Sequence, residues 1–354
     1  MEDRLLRVAI VGCGGRGHNH AQALAATTLF KIVAVAEPDA ARRTSLADTY
    51  GVQKRYGDYH EMLARHRGEI DVVHLCTQPS LRASAVQAAI ETGVRAIVIE
   101  KPMELSYLAA RALVEACAAA GVLLVVNHQT RYMKEWAALK RSLAAGQLGD
   151  VLMLRANCSN MLNQGTHMLD MAWNVLGEPM PHWVIGGCDE RPTDQVDHAC
   201  PRTTLALVDF GGGIRGSFVF ADADAQRFLP PDEQGYGGYN MEVRGGAGAA
   251  QAVLDHGFRR WDRDGALVES FAARWDDANV GMAQRHLSED VARALRDPTF
   301  KHPLRGESTL ISFALVEAIL RSCLANRRID LPIDTNQGAL ERWTRAEQRA
   351  VADA

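Results

Sequence analysis

Leu5-Leu6-Arg7-Val8-Ala9-Ile10-Val11-Gly12-Cys13-Gly14-Gly15-Arg16-Gly17 opens the chain with an apolar run that stops at a glycine. Gly12, Gly14 and Gly17 stand in the spacing G-x-G-x-x-G. Each has a physical task in a dinucleotide site. Gly12 makes the tight strand-to-helix turn, Gly14 lets backbone approach a pyrophosphate, and Gly17 lets the next helix lie close on the strand. That helix, from Ala21 onward, presents free N–H groups and the positive end of its dipole to phosphate. The following strand pattern, Lys31 to Ala36, ends in Glu37. An acid about 20 residues beyond the glycines is where a ribose-binding carboxylate belongs. A carboxylate there repels a 2′-phosphate, so NAD is expected rather than NADP. Arg42 and Arg43, one helical turn further on, are the counter-signal, because either could reach a phosphate; the alternative reading is a solvated helix face.

The alternation continues. Asp39 starts a helix to Tyr50, and Asp58 caps another from Tyr59 to Arg65. Asp71 to Thr77 is a strand, Leu81 to Glu91 a helix stopped by Gly93, and Arg95 to Ile99 a strand. Leu105, Leu108, Ala109, Ala112 and Leu113 share one helical face, and Val122 to Val126 is the next strand. Continuous apolar strands between helices predict a parallel sheet covered on both faces. Ligands of such sheets lie beyond the carboxyl ends of the strands. This nominates Gly12, Gly14, Gly15, Arg16, Gly17, Glu37, Thr77, Pro79, Glu100, Lys101 and Asn127 for the cofactor, with Arg42 as the residue that would report a phosphate. Lys101 is either a surface lysine before a turn proline or a group placed to polarise a substrate oxygen and exchange a proton. The residues alone leave both open.

With 354 residues the chain should hold two domains, or one unusually large one; two are expected, 1–126 and 127–354. Its 47% hydrophobic and 23% charged residues are those of a globular protein. A net charge of −4 without a dense basic run gives no reason to expect nucleic acid. No stretch approaches about 18 uninterrupted apolar residues, so no membrane partner is expected. Seven scattered cysteines without a C-x-x-C pair point to reduced thiols and a cytoplasmic location. No histidine spacing suggests a metal.

In the second half, Val151 to Ala156, Thr204 to Phe210 and Ile214 to Phe220 read as strands, the last two joined at Gly211-Gly212-Gly213 in a hairpin. Asn163, His167, Asp170 and Asn174 fall on one face of a helix, opposite Leu169, Trp173 and Leu176. His167 is either a general base, suited by an ordinary pKa of about 6.5, or a buried hydrogen-bonded histidine. Phe228 to Asn240 is rich in Gly and Pro and reads as a mobile loop and candidate lid. Arg131 and Tyr132 open the second domain. The polar tail after Asp330 reads as an exposed helix, and His182 and His198 receive no role.

These motifs together resemble the glucose–fructose oxidoreductase / inositol dehydrogenase family, Gfo/Idh/MocA. The residues that carry the resemblance are the glycine turn, Glu37-Pro38-Asp39, Cys76-Thr77-x-Pro79, Glu100-Lys101-Pro102, Asn127 to Tyr132, Gly146 to Val151, Gly165-x-His167-x-x-Asp170, Glu242 to Gly245 and Pro303 to Glu307. The resemblance implies a Rossmann parallel sheet followed by an α+β domain with a large, mostly antiparallel sheet that often forms dimer or tetramer interfaces. It implies an NAD(P)-dependent dehydrogenase of CH-OH groups, moving a hydride between NAD and a hydroxyl carbon of a sugar, cyclitol or related compound. Lys101 and His167 carry over as the residues near the reacting hydroxyl, with Asp170 orienting His167 or contacting substrate. Asn163 stands where the family often has an acid, and Arg82 where it commonly has a histidine. Two rivals follow: a redox-neutral NAD-dependent glycoside hydrolase, and a non-catalytic nucleotide-sensing regulator.

Overall fold

The computed structural model describes residues 4–189, 200–221, 238–333 and 339. Residues 228–237 of the expected lid, His198 and the tail positions 334–338 and 340–354 lie outside them. The described chain forms two compact units. The first comprises the residues up to Leu105, Ala109–Tyr132 and Val280–Leu310.

In the first unit, strands and helices alternate. They are β1 (Leu6–Val11), α1 (Gly15–Ala25), β2 (Phe30–Ala36), α2 (Ala40–Thr49), β3 (Lys54–Tyr56), α3 (Tyr59–Arg65), β4 (Val72–Leu75), α4 (Arg82–Glu91), β5 (Ala96–Ile99), α5 (Tyr107–Ala119) and β6 (Leu123–Val126). The six strands form one parallel sheet in the order β3-β2-β1-β4-β5-β6. The order reverses direction beside β1, the switch point where such sheets bind ligands. Every residue of β4 and β5 is buried, as expected of strands with helices on both faces. Two helices start at the expected caps: the Asp39 side chain accepts from Arg42 N, and the Asp58 side chain from His60 N. Strand β3, Lys-Arg-Tyr, carries no apolar pattern and escapes the sequence reading.

The first unit is not one stretch of chain. Helix α8 (Met282–Arg296) returns to it, and its Leu287, Val291 and Ala292, with Leu304, belong to the same core as Val8, Ile10, Leu24 and Val98. Residues 304 and 305 then lie along β6, where Val126 N donates to Leu304 O.

The second unit contains α6 (Lys134–Ala144), β7 (Val151–Cys158), α7 (Gly165–Val175), β8 (Trp183–Cys188), β9 (Thr203–Asp209), β10 (Arg215–Ala221), β11 (Asn240–Gly245), β12 (Gly248–Val253), β13 (Gly257–Asp262), β14 (Leu267–Phe271) and β15 (Ile329–Asp330). Its nine-stranded sheet has the order β14-β13-β12-β11-β7-β10-β9-β8-β15. All pairs are antiparallel except β10 with β7. The hairpin between β9 and β10 turns through Gly211, Gly212 and Gly213, all at positive φ. Asn240, assigned from sequence to the loop, instead opens β11. Helix α9 (Gly306–Ala325) is long and apolar enough to cross a membrane, but most of it is buried inside the protein, as in a core helix.

Candidate active site

The glycine turn closes for steric reasons. Gly12 has φ +91°, and a Cβ on it would stand 2.6 Å from Cys76 O at the end of β4. A Cβ on Gly17 would stand 2.2 Å from Gly12 O, so only glycine lets α1 start this close to β1. Nothing lies within 4 Å of the corresponding positions of Gly14 and Gly15, which leaves open space in front of the turn. Gly14 caps α1 in extended backbone with no side-chain hydrogen bond. The first-turn N–H groups and the dipole therefore remain available to an anion.

Glu37 is fixed beside this turn. Its Oε2 accepts from Cys13 N at 2.9 Å and its Oε1 from Asp39 N at 3.1 Å. A carboxylate has about four acceptor sites, so both oxygens retain capacity for ribose hydroxyls. Of the two arginines on α2, Arg43 donates to the carbonyls of Glu37 and Pro38, and Arg42 is exposed. The open glycine turn and the Glu37 carboxylate fit NAD, and the exposed Arg42 is not gathered with them.

Behind the turn lies a polar network built on Glu100. Arg16 pairs with it through both carboxylate oxygens, Nε–Oε1 at 3.0 Å and Nη2–Oε2 at 3.2 Å. His20 Nε2 lies 2.9 Å and Asn127 Nδ2 2.7 Å from Oε1. Burial alone would raise the Glu100 pKa; Arg16, His20 and Asn127 outweigh it and hold the group well below the usual carboxylate range. His20 Nδ1 is 2.7 Å from His74 Nδ1, and both rings are fully buried. Burial, then His20, pushes the His74 pKa well down, so His74 is neutral. This network brings Arg16, Glu100 and Asn127 together. His20 and His74 were missed from sequence, where each looks like an ordinary residue of a helix or an apolar strand.

Two polar atoms at the carboxyl edge of the sheet, Thr77 Oγ1 beyond β4 and Asn127 Oδ1 beyond β6, are buried with no hydrogen-bond partner among the described residues. Buried polar groups are normally paired, so these two atoms fit a polar ligand at this edge. Pro79, also nominated, is buried at the start of a short 3₁₀ turn leading into α4.

Lys101 leaves the end of β5, is partly exposed, and is joined to Pro102 by a cis peptide. Its pKa is pushed down from 10.5 to about 8, first by burial and then by Arg16 and Arg82, against the opposing pull of Glu100. A lysine lowered this far can polarise a substrate oxygen and can also exchange a proton.

In the second unit, α7 is buried on all sides. His167 and Asp170 lie on it, both buried, and Asp170 Oδ1 accepts from Ser312 Oγ at 2.9 Å. Asn174 Oδ1 accepts from Lys140 Nζ at 2.7 Å. The helix begins at Gly165, so Asn163 stands in the preceding turn, not on the helical face, and its N donates to Asn160 Oδ1 at 2.6 Å.

A parallel sheet in this strand order, a glycine turn opening on an uncapped helix and a carboxylate at the end of β2 define a dinucleotide-binding Rossmann unit. Comparison with known proteins agrees. Residues 6–128 match the model of Gfo/Idh/MocA, an oxidoreductase family with an NAD-binding Rossmann fold. It is 25% identical to a D-apiose dehydrogenase of Paraburkholderia graminis, over 91% of this chain and 89% of the relative. It is 23% identical to an inositol 2-dehydrogenase of Rhizobium meliloti, over 92% and 99%. In structure it is similar to an oxidoreductase from Agrobacterium radiobacter in complex with NAD+, L-tartaric acid and magnesium, with a TM-score of 0.79 at 20% identity over 92% of this chain and 98% of that one.

Proposed function

We propose that this protein is a dehydrogenase that oxidises a hydroxyl carbon of a sugar, cyclitol or related polyol with NAD. The observation that carries the reading is the glycine turn and the Glu100-Lys101-Pro102 loop tied together by the Arg16–Glu100 ion pair. Relatives aligned along most of the chain bear the names of a sugar and a cyclitol dehydrogenase, and nothing among them favours the hydrolase or the regulator.

NAD, when bound, supplies the hydride acceptor. The glycine turn and α1 hold its pyrophosphate, Glu37 its ribose, and Thr77 and Asn127 offer polar atoms to the remainder. Lys101 donates to the substrate oxygen and polarises it. His167 takes the hydroxyl proton, and Asp170 fixes the helix around it through Ser312. Asn163 is the amide that replaces an acid nearby in sequence, and it orients by hydrogen bonding alone, since an amide neither gains nor loses a proton here.

The test is NADH formation across a panel of aldoses, cyclitols and vicinal diols, with product masses recorded. Lys101→Ala and His167→Ala each lower turnover on the order of 100-fold or more. Full turnover in both variants sinks the assignment. A cleaved glycoside without NADH sinks the dehydrogenase reading itself.

The reading extends to a homo-oligomer in the cytoplasm. One face of the nine-stranded sheet supports self-association. Leu205 and Leu207 on β9, Ile185 on β8 and Val219 on β10 share that face by register and are all exposed. Contiguous apolar surface of this kind is unusual on a monomer.

A further inference from the structure

Arg82 is the departure from the family pattern that the function above leaves unused. Its side chain is completely buried on the first turn of α4. The guanidinium converges on three backbone carbonyls. Nη2 donates to Thr77 O at 2.9 Å, and Nη1 to Met103 O at 3.0 Å and to Pro102 O. Its Nε finds no partner among the described residues. The three carbonyls belong to two loops, the turn after β4 and the Lys101-Pro102-Met103 segment after β5.

A buried cation is an expensive clamp. Desolvating a guanidinium costs several kcal/mol, and carbonyl dipoles return that only in part. The neighbouring acids do not form a close pair with it: Glu104, itself buried with a raised pKa, acts on it through charge, as does Glu100. A neutral amide could bridge two of these carbonyls at less cost. What only arginine provides is a rigid fork that spans both loops and a fixed positive charge beside Lys101.

We infer that Arg82 is a positioning residue for Lys101, fixing the direction of the Lys101-Pro102-Met103 segment through its carbonyls and placing a positive charge beside the ammonium. This rests on the proposed role of Lys101. The charged groups that act on Lys101 are Glu100 on its own segment, Arg16 from α1 and Arg82 from α4. Removing the Arg82 charge leaves Glu100 less opposed and favours the ammonium.

Two variants separate geometry from charge. Arg82→Lys keeps the charge and loses the fork; Arg82→Met loses both. Each is assayed for kcat and KM with NAD and the polyol that gives NADH in the panel. Independently of substrate, Lys101 is titrated by pH-dependent labelling with an amine-reactive reagent and peptide mass mapping. A misplaced reacting group costs up to about 100-fold, so kcat is expected to fall about 10- to 100-fold in both variants with KM for NAD within about 3-fold of wild type. The Lys101 titration, pushed down toward about 8, is expected to stay in place in Arg82→Lys and to rise in Arg82→Met. Lowered thermal stability with wild-type kcat and an unmoved titration would make Arg82 a structural clamp only and overturn the inference. If Arg82→Met does not fold, Arg82→Lys decides alone, and a wild-type kcat in it overturns the inference. Full turnover in Lys101→Ala defeats the function assigned to Lys101; a dead Lys101→Ala beside unaffected Arg82 variants defeats only this inference.

Discussion

Both sheets contain strongly apolar strands, yet these are buried differently. In the six-stranded sheet, β4 and β5 have no exposed residue. In the nine-stranded sheet, β9 alternates buried Thr204, Ala206 and Val208 with exposed Leu205 and Leu207. Helices α6 and α7 pack against one face of that sheet. Apolar content identifies a strand, whereas connectivity decides whether a face is covered. Parallel crossovers force helices onto both sides. An antiparallel meander leaves one side free, and leucines there require another explanation.

The same charge placed on each sheet is expected to have very different effects. Ile97 is fully buried in the middle of β5. Ile97→Asp leaves an unpaired carboxylate inside the first unit and is expected to cost more than about 4 kcal/mol, abolishing cooperative thermal unfolding. A variant with a wild-type melting curve would mean that this face is open after all.

A smaller effect is expected where the first sheet meets its ligand edge. Gly17→Ala drives a methyl into Gly12 O and can be relieved only by shifting backbone. Stability is expected to fall by about 1–3 kcal/mol, and NAD affinity, measured by fluorescence titration, by at least about 10-fold, since the turn and the α1 N–H groups move together. Unchanged NAD binding would remove the turn from the cofactor site.

Which parts were legible follows from the kind of signal. The first unit was legible nearly element by element, because steric need and helix caps leave residue-level marks: Gly12, Gly17, Asp39 and Asp58 sit where their chemistry requires. Strand β3 was not, since three residues cannot show a period. The helical stripe ran too far back, through Asn163, because nothing in the side chains marks Gly165 as the start. Arg82 reads as a surface residue in any sequence, and its burial depends on three carbonyls from distant turns. The single cut after residue 126 could not register that 280–310 rejoins the first unit, since that return is written only in which core α8's Leu287 and Val291 enter. The Lys101 neighbourhood is legible as a motif, but its lowered pKa comes first from burial and then from Arg16 and Arg82, charges brought in from other elements.

That returning segment gives the first unit a pH dependence of its own. Buried His302 is held as a neutral ring: its Nδ1 accepts from Leu304 N at 3.0 Å, and its Nε2 donates to Leu287 O at 3.2 Å. Burial lowers its pKa from 6.5 to about 4. Between those values the unfolded chain binds the proton and the folded chain does not, so this contribution is complete above pH 6.5 and is lost as pH falls toward 4. The loss amounts to roughly 3 kcal/mol. Neutral His74 adds in the same direction. In His302→Asn the difference between denaturant midpoints at neutral and mildly acidic pH is expected to shrink; an unchanged difference would assign the whole dependence to His74 and other groups.

The smallest effect on the protomer is expected on the open face of the second sheet, and it sharpens the comparison most. Leu205 is 56% exposed, and its β9 neighbour Leu207 points to the same side. Leu205→Asp combined with Leu207→Asp places two charges where water already reaches. The strand loses some propensity, so protomer stability is expected to change by no more than about 1 kcal/mol, against the collapse expected of one such charge in β5. If a second copy covers this face, the same two carboxylates are desolvated on each side of the interface, and the mass measured by light scattering falls to that of one chain. The outcomes separate cleanly. A monomer with wild-type melting shows a face built for self-association. An unchanged oligomer places the interface elsewhere. Loss of folding shows that these leucines, though exposed in the protomer, act as core.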